Sequence, residues 1–289
     1  MTDVPSLPGG TWTLGDTTVT RFGYGAMQLA GPWVMGPPAD HDGAVAVLRA
    51  AVDAGITHLD TSDAYGPRVV NELIAEALHP YDETLLIATK VGANRDEQGG
   101  WPVARRPEDV RRQVHENLTS LKVERLHLVN LRMGDANGPQ PGSVAEAFGT
   151  LLELQQDGLI RHLGVSNVTA EQVEEARGLG EVVCVQNMYN LAHRHDDALI
   201  DQLAADGIAY VPFFPLGGFS PLQSETLSAV AARLGSTPMS VALAWLLQRS
   251  PNVLLIPGTS SVSHLRENVV GAGLVLSESD LDELDTIGR

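Results

Sequence analysis

The chain has one cysteine, Cys184, in 289 residues. No disulfide can form within it, which fits a reducing compartment. Basic residues are also scarce: 19 Lys and Arg stand against 36 Asp and Glu, a formal net charge of −17. A nucleic-acid surface needs a basic field, and this composition argues against one. A small basic pocket for a single cofactor phosphate is still allowed. No apolar run approaches the length of a membrane span. The opening Met1-Thr2-Asp3-Val4-Pro5-Ser6-Leu7-Pro8 lacks the basic start and apolar core of a signal peptide. No low-complexity linker or shift in composition divides the sequence. The expectation is one soluble, cytoplasmic domain over residues 1–289, able to stand as a monomer or a weak homo-oligomer, with 43% hydrophobic residues for its core.

What is present is a regular alternation. Thr11-Trp12-Thr13-Leu14 and Thr17-Thr18-Val19-Thr20 flank Gly15-Asp16, a hairpin signal. Short strands are then predicted over 22–27, 56–60, 84–89, 126–131, 160–165, 182–185, 208–213 and 253–256. Helical spacing follows over 42–54, 69–78, 107–121, 144–156, 169–177, 197–205, 227–234, 238–248 and 262–270, with an extra helix at 279–287. Thr169 and Gln172 form a capping box. The strands are apolar throughout rather than alternating, as expected when both faces are buried. Eight such units fit an α/β fold of the (β/α)8 TIM-barrel type, preceded by a short β-hairpin, better than an open sheet. No Gly-rich dinucleotide fingerprint follows any strand, so a nicotinamide cofactor has to be held another way.

Polar groups collect at the predicted strand ends. Asp60 ends the second strand, Lys90 the third, Arg132 the fourth, Ser166-Asn167 the fifth, Gln186-Asn187 the sixth, Phe213 the seventh and Pro257-Gly258-Thr259 the eighth. Barrel active sites lie at that face. An inward lysine needs a counter-charge, and Asp60 supplies it. A neighbouring ammonium stabilises a phenolate. Asp60, Tyr65 and Lys90 together can therefore hand a proton to a carbonyl oxygen while hydride arrives at carbon. Taken alone, Asp60-Thr61-Ser62-Asp63 also reads as a helix-capping turn, and Tyr65-Gly66-Pro67 as a plain turn. Ser166, Asn167 and Gln186 have the donors and acceptors that fix both sides of a carboxamide, or they merely cap a helix. Phe213 offers a stacking face for a nicotinamide ring, or is plain core. Pro215-Leu216-Gly217-Gly218 lets backbone amides approach a pyrophosphate, or is a simple loop. Ile256-Pro257-Gly258-Thr259-Ser260-Ser261 opens a helix carrying His264, Glu267 and Asn268, which suits the 2′-phosphate of NADPH or an ordinary N-cap.

The segments Gly23-Tyr24-Gly25-Ala26-Met27, Asp60 to Tyr65, Thr89-Lys90, Gly164 to Asn167 and Ile256 to Asn268 resemble the aldo-keto reductase family. The resemblance covers nearly the whole chain. It implies NADPH laid across the barrel mouth and hydride transfer to an aldehyde or ketone. Tyr65 is then the acid, Lys90 its supporting cation and Asp60 the partner of Lys90. Ser166, Asn167 and Gln186 hold the carboxamide, and Phe213 lies under the ring. Pro215, Leu216 and Gly217 line the pyrophosphate. Gly25, Ala26, Met27, Asp60, Ile256, Gly258, Thr259, Ser261, His264, Glu267 and Asn268 complete the cofactor contacts. No metal is implied. Gly23 to Pro32, Val129 to Arg132 and Val211 to Phe219 are similar to a bacterial branch of pyridoxal reductases, which implies reduction of pyridoxal to pyridoxine.

Two positions depart from the family pattern. Arg132 stands where a histidine is usual at the end of the fourth strand. Arginine does not release its proton, but its fork polarises an oxygen. Asn130 shares its barrel-facing side. Asn130 and Arg132 are therefore expected to bind substrate, and an anionic or phenolate substrate suits Arg132. His264 stands where many NADPH-using members have arginine, so the NADPH preference turns on a side chain only partly charged at neutral pH. The alternatives are a broad aldehyde or ketone reductase, a Schiff-base lyase with Lys90 as nucleophile, and a non-catalytic NADPH-binding redox sensor. The loops 33–38, 94–101 and 133–141 carry no readable specificity.

Overall fold

The computed structural model describes residues 7–135, 138–217 and 223–288. Gly218 and Phe219, which carried part of the pyrophosphate and branch expectations, lie outside them. The hairpin forms as expected, β1 (Thr11–Leu14) against β2 (Thr17–Thr20). Parallel strands follow: β3 (Tyr24–Gly25), β4 (His58–Asp60), β5 (Leu86–Ala93), β7 (Leu126–Arg132), β8 (Ile160–Ser166), β9 (Cys184–Gln186) and β10 (Ala209–Tyr210). They pair in the order β10-β9-β8-β7-β5-β4-β3, while β6 (Val103–Ala104) folds back antiparallel on β5.

The eighth strand expected over 253–256 is not a regular strand. It consists of two isolated parallel bridges, Tyr210↔Val253 and Phe22↔Leu255. The backbone nevertheless closes the ring: Leu254 N donates to Tyr210 O at 2.9 Å, and Gly23 N donates to Leu255 O at 2.8 Å. Pro257 follows with no N–H, so the ladder cannot lengthen there. Arg21 clamps this seam. Its buried guanidinium donates to the carbonyls of Val253, Leu247, Ser250 and Gly9. The result is a closed (β/α)8 barrel.

Two apolar clusters hold it. The smaller fills the barrel: Leu86, Ala88, Leu128, Cys184, Ala209, Val211, Leu254 and Ile256, with Leu14 and Val19 of the hairpin in the same cluster. Burial pushes the Cys184 thiol up, which leaves it inert. The larger cluster lies where strands meet helices and includes Val47, Leu48, Ile74, Val114, Phe148, Leu151, Ile200 and Trp245.

The helices begin and end for local reasons. Helix α1 (His41–Asp53) starts at Asp40, whose carboxylate accepts from Gly43 N. Helix α2 (Val69–Leu78) follows the tyrosine turn. Helix α3 (Pro107–Leu121) has proline in its first turn and stops at Lys122 in the left-handed region. Helix α4 (Ala145–Gln156) precedes α5 (Ala170–Leu179), which has the expected Thr169–Gln172 capping box. Helices α6 (Asp197–Ala205), α7 (Glu225–Arg233), α8 (Pro238–Arg249), α9 (Val262–Ala272) and α10 (Glu278–Leu284) complete the chain. Among the described residues no single helix is long and apolar enough to cross a membrane.

Candidate active site

The expected trio meets. Lys90 Nζ lies 2.6 Å from Asp60 Oδ1 and donates to Thr61 O at 3.0 Å. The ammonium is 5.3 Å from the centre of the Tyr65 ring. Lys90 is 7% exposed and Asp60 3%. Burial works against the ammonium, but the charge of Asp60, with help from Tyr65, outweighs it and holds the Lys90 pKa above its ordinary value. Lys90 is therefore a fixed cation rather than a free amine, which disfavours a Schiff-base role.

Local structure explains how the three side chains are held. A buried network ties the ends of β4 and β5 to α2 and α3. Thr61 Oγ1 donates to Asn71 Oδ1, and Asn71 Nδ2 donates to Asn117 Oδ1 and Ser120 Oγ. Thr89 Oγ1 donates to Asn117 Oδ1 at 2.6 Å, and Gly92 N to Gln113 Oε1 at 2.7 Å. The Tyr65 turn is pinned by Tyr65 N to Ser62 O and Arg68 N to Asp63 O. Gly66 follows at φ +86°, where a Cβ would press on Val69.

Tyr65, Lys90, Trp101 and Arg132 line one narrow pocket with Ser62, Ala64, Val91 and Ala93. Trp101 meets the Tyr65 ring edge-to-face, 6.3 Å between centres. Arg95 lies 4.1 Å and Arg132 5.7 Å from the Trp101 ring centre. Arg132 Nε donates to Gly134 O at 3.4 Å and Nη2 to Asp135 O at 3.2 Å. Burial pulls the pKa of this guanidinium down, against the charges of Tyr65 and Asp135. Asn130 does not line that pocket. It is fully buried, sits in register with Lys90 and Gly164, and both its amide atoms lack a hydrogen-bond partner.

Sequence reasoning missed several of these residues. Trp101 and Arg95 lie on the loop between β5 and β6. No residue pattern announces the pairing that folds that loop over Tyr65. Gln186 has a second task, since its Nε2 donates to Asp60 Oδ2 at 2.8 Å. Asp63 is buried with Oδ1 unpartnered, and burial, with the Glu116 charge, pushes its pKa up to about 7. No local pattern signals it, because Glu116 comes from α3, more than fifty positions away.

The nicotinamide expectation has a geometric test. Asn167 Oδ1 and Gln186 Oε1 are buried acceptors without a hydrogen-bond partner. Asn167 is held in the left-handed region, with Nδ2 donating to Asp135 O at 2.7 Å. A carboxamide NH2 has the donors such acceptors need, so the residues fit the group. Phe213 is half-buried at the mouth and its ring packs edge-on to Phe214. Pro215, Leu216 and Gly217 form the turn after it.

The first strand and the eighth segment meet, with Gly25 N donating to Pro257 O, and a Cβ on Gly258 would strike Gly25 O. Ala26 and Met27 continue from there in a 3-10 turn. Ile256 is buried, and Thr259 is buried with its carbonyl accepting from Tyr24 Oη. Ser261 caps α9 by accepting from His264 N. His264 and Glu267 are exposed and Asn268 is half-buried.

Comparison with known proteins agrees with this arrangement. The profile of the aldo/keto reductase family matches residues 21–289. Pyridoxine 4-dehydrogenase of Escherichia coli (strain K12) is 60% identical over 285 residues, covering 98% of this chain and 100% of that protein. An uncharacterized oxidoreductase of Schizosaccharomyces pombe is 37% identical, covering 99% and 92%. Among solved structures, a thermostable aldo-keto reductase in complex with the inhibitor epalrestat superposes with TM-score 0.81 at 30% identity, covering 96% and 98%.

Proposed function

Since the chain belongs to the aldo/keto reductase family and is an oxidoreductase, we propose that it is an NADPH-dependent reductase of aldehydes, with pyridoxal, reduced to pyridoxine, as its substrate. The observation that carries the reading is the buried Lys90–Asp60 pair beside Tyr65, all in or under one pocket at the strand ends. A reduced nicotinamide, when bound, supplies the hydride. The residues of the chain do the rest. Tyr65 donates its proton to the carbonyl oxygen, and Lys90 stabilises the phenolate that remains. Asp60 keeps Lys90 charged, and Gln186 holds the other oxygen of Asp60.

Ser166, Asn167 and Gln186 are assigned to the carboxamide. Phe213 lies against the ring, Pro215, Leu216 and Gly217 line the pyrophosphate, and Gly25, Ala26, Met27, Ile256 and Gly258 the length between. Thr259, Ser261, His264, Glu267 and Asn268 take the adenosine end, with His264 as the side chain on which the NADPH preference turns. Arg132 contacts substrate; Asn130, buried and outside the lining of that pocket, does not. One barrel domain over 1–289, in the cytoplasm and as a monomer or weak homo-oligomer, carries the activity.

The test is NADPH oxidation by the purified protein with pyridoxal, followed by absorbance, alongside Tyr65→Phe. The expected result is turnover by the native chain and a loss of roughly a hundredfold or more in the variant. Turnover of other aldehydes but not pyridoxal would keep the mechanism and remove the vitamin. Tight NADPH binding without any turnover would leave the sensor reading.

A further inference from the structure

We propose that the pocket selects aromatic aldehydes carrying an ionised oxygen on the ring carbon next to the aldehyde, and that Arg132 recognises that oxyanion. This deepens the reading of the site as an aldehyde-reducing pocket and rests on it. Three observations carry it. Arg132 lies in the same narrow pocket as Tyr65 and Lys90. Its Nε and Nη2 are spent on the carbonyls of Gly134 and Asp135, at 3.4 and 3.2 Å, which fix the plane of the fork. Nη1 makes no hydrogen bond or ion pair among the described residues, so the fork keeps donors facing the pocket.

A mostly buried guanidinium whose hydrogen bonds among the described residues go to carbonyl oxygens keeps its charge available for an anion, with Asp135 as the nearby counter-charge. Lys90 does not compete for it, because its ammonium is already engaged by Asp60 at 2.6 Å, Thr61 O and Tyr65. The walls fix the rest of the ligand. Trp101 and Tyr65, edge-to-face at 6.3 Å, give an aromatic lining that suits a flat ring. With the aldehyde oxygen at Tyr65, the neighbouring ring position comes within reach of Arg132. The oxyanion on that carbon is then a charge-assisted acceptor for Nη1, while Tyr65 keeps the aldehyde oxygen.

The pairing also matters for reactivity. An ortho oxyanion pushes electron density into the aldehyde and makes its carbon a poorer hydride acceptor. Hydrogen bonds from Arg132 hold that density on the oxygen. A histidine at this position has no such fork.

The experiment compares 2-hydroxybenzaldehyde with 2-methoxybenzaldehyde, in which a methyl group replaces the ionisable hydrogen so that no oxyanion forms; Arg132→Met controls for the added bulk. The readout is the ratio of their kcat/KM values across pH. In the native enzyme the ratio is expected to exceed roughly tenfold, the worth of one charge-assisted hydrogen bond, once the phenol is ionised. In Arg132→Met it falls toward one, and Arg132→Lys restores it only in part. A second readout needs no turnover: in a mixture of enzyme, NADP+ and 2-hydroxybenzaldehyde, the phenolate absorbance band is expected to appear at lower pH with the native chain than with Arg132→Met.

A native enzyme that reduces both aldehydes with a ratio near one at every pH overturns the inference and leaves the reductase intact. Absence of turnover with any aldehyde overturns the reductase reading instead. The absorbance band then still decides whether Arg132 binds the oxyanion.

Discussion

Lys90 can stay charged inside a barrel because Asp60 is 2.6 Å away. Neither residue is stable there alone, since each would leave an uncompensated buried charge. Lys90→Met is therefore expected to lower the melting temperature as well as kcat. The stability loss is of the order of 3–5 kcal/mol, or roughly 2–4 °C for each kcal/mol in a chain of this size. Adding Asp60→Asn to Lys90→Met is expected to recover part of the stability and none of the activity. Thermal melts and pyridoxal turnover on the three variants check this; a double variant less stable than Lys90→Met would mean that Asp60 has a structural role apart from the pair. Asp60, Tyr65 and Lys90 were legible as a set because each carries chemistry that an apolar strand end does not otherwise need. Trp101 and Arg95 were not, because their place over Tyr65 depends on how β6 returns to β5.

At the scale of elements, the site stands on helices that never touch substrate. Asn71 on α2 and Asn117 on α3 are buried and share hydrogen bonds with Thr61 and Thr89, next to Asp60 and Lys90. Such a network is stiff when every member is satisfied and costly when one is removed. Asn71→Leu is expected to cost about 2–4 kcal/mol through the unpaired Thr61 and Ser120 groups. It should also lower kcat without a matching rise in the KM for NADPH. Melting curves and steady-state kinetics give both numbers; unchanged kcat would separate the brace from the chemistry. In the sequence these asparagines read as ordinary polar positions of amphipathic helices, since spacing does not say which strand end a helix face meets.

For the whole molecule, two buried titratable groups set opposing pH dependences. Asp63, pushed from 3.8 up to about 7, binds its proton more tightly in the folded chain. Its contribution to stability is present below 3.8 and is lost as pH rises to 7. His58, pushed from 6.5 down to about 4 by burial, binds its proton less tightly when folded. Its contribution is present above 6.5 and lost as pH falls to 4. Between pH 4 and 6.5 the two slopes oppose each other, and from 6.5 to 7 Asp63 acts alone. Asp63→Asn is expected to melt higher than the native chain by a margin that grows from pH 4 to 7 and then stays level, amounting to several degrees. A margin independent of pH would show that Asp63 is not held protonated.

The sequence by itself determined the repeating units, the hairpin, most helix limits and the chemistry gathered at the strand ends. These follow from short-range causes: apolar periodicity, caps such as Thr169 with Gln172, and the cost of placing Lys90 on an apolar strand without a partner. Tertiary structure alone decided which distant groups share a hydrogen bond. It reduced the eighth strand to two bridges clamped by Arg21 and turned Gln186 toward Asp60. It left Asn130 buried with both amide atoms unpartnered, and gave Arg132 its outlook over the pocket. Those outcomes depend on barrel closure, which brings together residues more than a hundred positions apart, a relation that no local pattern encodes.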